Sequence, residues 1–120
     1  MPMPTPRQLK RTQTLLAAVL GLPAKPTRKF ERVLKALHAG REVVIELPWS
    51  PGPRYHQLTL HRVEGERIFF TNSDRIPGMK AGMILSGPLP RRIEPGGMES
   101  SAIADLQHLF EEGKGEGLVI

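Results

Sequence analysis

Apolar and polar positions alternate through residues 55–72, YHQLTLHRVEGERIFFTN, with the period of two that marks a half-buried strand. Leu58 and Leu60 alternate with Gln57, Thr59 and His61, and residues 67–71 form a second β-rich run. Glu64-Gly65-Glu66 joins the two as a hairpin turn, and the loop length then decides which residues share a face. A two-residue loop sets Leu58 and Leu60 opposite Thr71 and Phe69 and splits the apolar residues between both faces. A three-residue loop, with Gly65 at positive φ, pairs Val63 with Arg67, Leu60 with Phe70 and Leu58 with Asn72. The second register is the expected one, because it gathers Leu58, Leu60, Ile68 and Phe70 on one face. It also brings His56 and Asn72 to that face, at the open end of the hairpin.

The remaining pattern predicts helices before and after this hairpin. Thr5 and Pro6 read as the cap and first position of a helix ending near Leu20, stopped by Gly21. After a linker, Thr27 caps a second helix over residues 28–39, with Phe30, Val33, Leu34 and Leu37 as its apolar stripe and Gly40 as its stop. Residues 42–47, EVVIEL, read as a strand ended by Pro48. A stiff loop over residues 49–53 comes next and carries Trp49, which either folds over the core edge or contacts a partner. Beyond a turn at residues 73–78, short extended pieces are expected near 83–85 and 91–94, and Pro95-Gly96-Gly97 breaks the chain. Ser100 or Ser101 begins a closing helix with Ile103, Leu106 and Phe110 on one side. The fold class is α+β, an antiparallel sheet with two N-terminal helices and one C-terminal helix. The chain divides into a basic helix and linker (1–26), an α+β body (27–112) and a flexible tail (113–120), whose last residues, Leu118 to Ile120, could add an edge strand or engage a partner.

Composition narrows the function. The 120 residues make one domain, and no run approaches the roughly 18 apolar residues of a membrane span. With no cysteine, the chain has no disulfide, no thiolate metal site and no cysteine nucleophile of its own. Charge is uneven: residues 1–41 carry nine basic side chains and one acid, whereas the rest of the chain has a net charge of −3. A basic N-terminal third points to nucleic acid, an anionic membrane or an acidic protein surface. Six aromatics and no zinc spacing argue against nucleic acid. The candidate partner-binding set is Arg7, Lys10, Arg11, Arg28, Lys29, Arg32 and Trp49. The basic start and the apolar run from Leu15 also resemble a short export signal, but Leu22-Pro23-Ala24 is a poor cleavage site, and a cytoplasmic protein is expected. His56 and His61 point to opposite faces of one strand with no third ligand, so no metal is expected, and the absence of a phosphate-binding glycine loop leaves no cofactor.

Around His56 and Asn72 the chain resembles the C-terminal half of a papain-like cysteine peptidase, of the bacterial C39-like and calpain-like sort. LKALHAGREVVIEL is similar to that superfamily's helix and Gly-Arg-x-Val strand. In YHQLTLHRVEGERIFFTNSD, His56 falls at its general base and Asn72 at the residue that orients the base. PRRIEP, with a Met-Glu-Ser helix start after it, is similar to the stretch beyond the triad segment in some bacterial members. The resemblance covers residues 28–110 and implies a papain-like half-domain. The reaction it implies needs a thiolate beside the histidine, and this chain has no cysteine, while Ser73 stands where the family has proline. The expected function is therefore that of a non-catalytic protein that binds another protein, such as a protease or a secreted effector. A half-site hydrolase, in which His56 and Asn72 meet a nucleophile from another chain, is the alternative, and a basic nucleic-acid binder is the third.

Overall fold

The computed structural model describes residues 26–48, 55–72 and 78–120. The expected helix over residues 5–20, its linker, Trp49 and the turn at residues 73–77 lie outside the described residues. Within them the chain runs β1 (Pro26–Thr27), α1 (Phe30–His38), β2 (Val43–Pro48), β3 (Tyr55–Glu64), β4 (Arg67–Asn72), β5 (Ile84–Leu85), β6 (Arg91–Ile93), a 3₁₀ turn (Pro95–Gly97), β7 (Glu99–Ala102), α2 (Ile103–Glu112) and β8 (Glu116–Val119). The strands form one sheet in the order β1-β8-β2-β3-β4-β7-β6-β5. Every neighbouring pair is antiparallel. The architecture is α+β, as the sequence pattern predicts.

Both helices cover the same face of this sheet. Phe30, Val33 and Leu37 point from α1, and Leu106 and Phe110 from α2, onto Val43, Ile45, Leu47, Leu58, Leu60, Ile68 and Phe70, and all twelve are buried. Phe30 and Phe110 meet edge to face at 5.5 Å between ring centroids, which ties the helices to each other as well as to the strands. Thr27 does not cap α1 directly; its hydroxyl accepts the backbone N–H of Lys29 at 3.0 Å and turns the chain into the helix. Gly40 stops α1 with φ of 79°, a left-handed conformation open to glycine.

The hairpin reaches the expected pairing by a different route. Leu60 pairs with Phe70 and Leu58 with Asn72, but at the tip Glu64 pairs with Arg67 and Val63 with Ile68. The turn is therefore a two-residue loop, Gly65-Glu66, with Gly65 at φ of 59°. A β-bulge between Leu60 and Arg62 inserts the odd residue instead. Loop length and bulge are interchangeable in parity, and burial of the four apolar side chains requires only that one of them supply the extra residue.

Two further expectations are corrected. Ser100 and Ser101 do not begin the last helix. They belong to β7, which pairs with β4 and satisfies its otherwise open edge, and α2 starts at Ile103, whose N–H binds the Glu66 carbonyl at 2.9 Å. The C-terminal residues are a paired strand rather than a flexible tail. After Gly113 the chain reverses, and β8 inserts between β1 and β2, so it is an interior strand, not an edge. Gly117 permits this under α1, since a Cβ there would lie 3.1 Å from the Ile45 side chain and 3.4 Å from Val33 and Val43.

Candidate functional site

His56 and Asn72 sit on the helix-covered face because they follow the same alternation as the core. His56 lies opposite Leu47 and Asn72 opposite Leu58, both core residues. Asn72 is thus the diagonal neighbour of His56, a spacing that long side chains bridge. The contact is made: His56 Nε2 and Asn72 Oδ1 are hydrogen-bonded, with the histidine 2% exposed and the asparagine 7%.

The polar contact does not end at Asn72. Its Nδ2 donates to Glu99 Oε1 at 3.4 Å, and Arg91 Nε donates to the same oxygen at 2.6 Å. Arg91 Nη1 in turn donates to the carbonyls of Ser86 and Leu89, both at 3.2 Å. Glu99 is opposite Phe70 and Ile93, so Asn72 and Arg91 flank it diagonally, just as His56 flanks Asn72. The result is a buried polar line, His56–Asn72–Glu99–Arg91, crossing β3, β4, β7 and β6 at one end of a largely apolar face. Ion pairs at this depth stand only when both partners are hydrogen-bonded, and Glu99 and Arg91, 2% and 9% exposed in their side chains, meet that condition.

Glu99 and Arg91 were not legible as site residues in the sequence. The signal available was parity within residues 99–102, which a helix starting at Ser100 conceals. His61 stands apart from this line. At the bulge it faces the opposite side of the sheet, where it contacts the Glu42 carboxylate and the Thr71 hydroxyl, the latter at 2.6 Å. His38 and His108 are exposed on α1 and α2. No group of three or more metal-ligating side chains occurs among the described residues.

A second acidic feature lies on the sheet face away from the helices. Glu46 on β2 pairs with Glu116 on β8, and both are buried. The Glu46 carboxylate has no hydrogen-bond partner among the described residues. Burial, and then the charge of Glu116, push its pKa from 4.5 up to about 7. On the same face the Ser100 hydroxyl and Arg92 bind Glu94, at 2.8 and 2.6 Å, and hold its carboxyl below the usual carboxylate range. A shallow hollow lies between Arg67, Ile84, Pro90 and Arg92; Arg91 reaches its wall, but His56 and Asn72 do not.

Of the candidate partner-binding residues, Arg28, Lys29 and Arg32 are exposed at the start of α1. Arg7, Lys10, Arg11 and Trp49 lie outside the described residues. Among those described, no helix is long and apolar enough to cross a membrane. No family model, curated protein or solved structure matches this chain.

Proposed function

We propose that this chain is a papain-like half-domain without a nucleophile of its own and that it works by binding another protein. One observation carries the reading: the His56–Asn72 contact is formed but closed into a buried polar line, with His56 2% exposed, in a chain that has no cysteine. A base that shielded serves the sheet, whereas the exposed cations Arg28, Lys29 and Arg32 offer a charged surface around the start of α1 for an acidic partner. The test is a pull-down from native extract with three variants of the chain. Removal of residues 1–26, and charge reversal of Arg28, Lys29 and Arg32, should each abolish capture of the protein retained by the full chain, while His56→Ala should retain it. Loss with His56→Ala and retention in the other two would overturn the reading.

A second reading is favoured by the His56–Asn72 contact itself, the pairing a half-site hydrolase would need, with a nucleophile from another chain reaching His56 only if the polar line around it opens. It requires that the protein captured above carry a reactive cysteine or serine. Peptidase activity of the reconstituted pair, abolished by His56→Ala, is its test.

A further inference from the structure

We propose that Glu42, His61 and Thr71 form a hydrolytic site on the sheet face opposite α1 and α2, in which the Thr71 hydroxyl takes the acyl group of an activated ester and passes it to water. The site goes beyond the binding reading above and does not rest on His56. The helix-covered face has no cysteine to serve as nucleophile, whereas the opposite face offers a threonine.

Strand parity brings the three side chains together. Leu60 and Phe70 are buried in the core, so their neighbours His61 and Thr71 point outward, and Glu42 does the same beside the buried Val43. Val43 is opposite Leu60, so one step along the pair Glu42 stands across from His61 on the β2 side. On the β4 side the bulge between Leu60 and Arg62 takes His61 out of the ladder, and bulges of this kind re-aim a side chain. Thr71, paired with Thr59, is the diagonal neighbour that the ring meets.

The ring uses a different nitrogen for each neighbour. Nδ1 meets the Glu42 carboxylate, and Nε2 lies 2.6 Å from Thr71 Oγ1. A carboxylate can only accept, so Nδ1 carries the hydrogen between them. In the neutral ring Nε2 is then the bare nitrogen, and the Thr71 hydroxyl donates to it. Hydroxyl, imidazole and carboxylate stand in the order that activates a nucleophile in hydrolases of unrelated folds, where geometry rather than sequence position defines the site. Thr71 is exposed and the His61 side chain is 24% exposed, so an acyl group reaches the oxygen from solvent.

As Thr71 Oγ1 bonds to the acyl carbon, Nε2 takes its proton. The bond to the leaving oxygen then breaks and that oxygen receives the proton, which leaves an acyl-threonine ester. Water repeats the sequence: it gives a proton to Nε2 and its oxygen to the acyl carbon, and Thr71 Oγ1 departs with its proton restored. Glu42 is a positioning residue that holds Nε2 toward Thr71 and balances the charge of the imidazolium. At an open surface the charge developing on the acyl oxygen is left to solvent, which restricts the substrates to esters with a good leaving group, such as aryl esters.

The full chain and p-nitrophenyl acetate test the site, with peptide mapping after an acid quench to locate the acetyl group. The expected result is acetyl on Thr71, and p-nitrophenol release that continues after this label has levelled off, faster than in Thr71→Val. Thr71→Ser keeps the hydroxyl and should keep both. His61→Gln should slow acetylation of position 71 about a hundredfold, the lower end for loss of a general base. Glu42→Gln should slow it about tenfold with KM unchanged, because an amide also holds the ring in the opposite tautomer. All three positions are at the surface, and Thr71→Ala serves should Thr71→Val not fold. Acetyl confined to lysines or to His61 overturns the proposal, as does acetylation of Thr71 at the same rate in His61→Gln. Release no faster than in Thr71→Val overturns the hydrolytic step, and an unchanged rate in Glu42→Gln overturns the positioning role.

Discussion

Glu46 and Glu116 stand opposite each other on β2 and β8, two buried carboxyls side by side on the sheet face opposite α1 and α2. The folded chain holds the Glu46 proton more tightly than the unfolded chain does, with the pKa at about 7 against an ordinary 4.5. Between those values the folded state binds more protons, so this residue makes stability fall as pH rises through the window, and its full cost is reached above pH 7. Glu46→Gln removes the titration. Relative to the wild type, the variant should gain about 3 kcal/mol between pH 4 and pH 8. Urea unfolding at a series of pH values measures this, and parallel curves for the two proteins would exclude it.

The polar line makes a prediction about stability. Arg91→Ala leaves the Glu99 carboxylate buried without its ion-pair partner, and breaking a buried pair from one side costs on the order of 3–5 kcal/mol. Replacing both partners with apolar side chains of similar volume should cost much less. A double-mutant cycle on chemical denaturation therefore has to show strong coupling between positions 91 and 99. Additive single effects would mean that the pair contributes no more than its packing.

How far the sequence foretold this arrangement depends on where the period of two is uninterrupted. Leu58 and Leu60 against Phe70 and Asn72 followed from alternation alone, because only one register buries Ile68 and Phe70 with them. The α1 stripe of Phe30, Val33 and Leu37 followed in the same way from the helical period. Effects set by distant segments were beyond the pattern. Glu99 to Ala102 is a strand because β4 has an edge to fill, which no local preference of Glu-Ser-Ser-Ala encodes. Leu118 and Val119 read as an edge or a contact, but the place between β1 and β2 is filled only once the chain has turned back after α2. Of the two missed members of the polar line, Glu99 falls in such a segment, and Arg91, though in an expected extended piece, pairs across the sheet only through β7, which is why His56 and Asn72 were visible and their supports were not.

Gly113 should be among the least replaceable glycines, for a steric rather than a conformational reason. Its φ is −87°, accessible to any residue, but a Cβ there would lie 2.2 Å from Pro48 Cγ and 2.9 Å from the Leu109 carbonyl oxygen. Both neighbours are stiff, one a ring and one backbone, so α2 and β2 would have to separate. Gly113→Ala is expected to cost about 3 kcal/mol, at the upper end of the range for overpacking. Gly40→Ala meets no atom within 4 Å and suffers only the left-handed backbone, a cost of roughly 1–2 kcal/mol. Thermal unfolding of the two variants side by side gives the order, and a milder effect at Gly113 would show that the α2 end shifts freely.

The bulge at His61 supplies the sharpest test of how the site is assembled. Because the extra residue sits between Leu60 and Arg62, removing His61 from the chain leaves Leu58 opposite Asn72, Leu60 opposite Phe70 and the Gly65-Glu66 turn as they are, now in an unbroken ladder. The shortened chain should fold with His56 still bonded to Asn72. It forfeits the exposed contacts of His61 with Glu42 and Thr71, at a cost of about 1–2 kcal/mol. Removing Gln57 instead, a deletion of the same size four residues earlier, moves His56 one step along β3 and turns it to the opposite face, away from Asn72 and Leu47. Side-chain contacts of His56 measured by NMR in the two deletions distinguish the outcomes. If the His61 deletion loses the His56–Asn72 contact, the bulge does more than correct parity, and the local twist it adds to β3 becomes part of what aims the histidine.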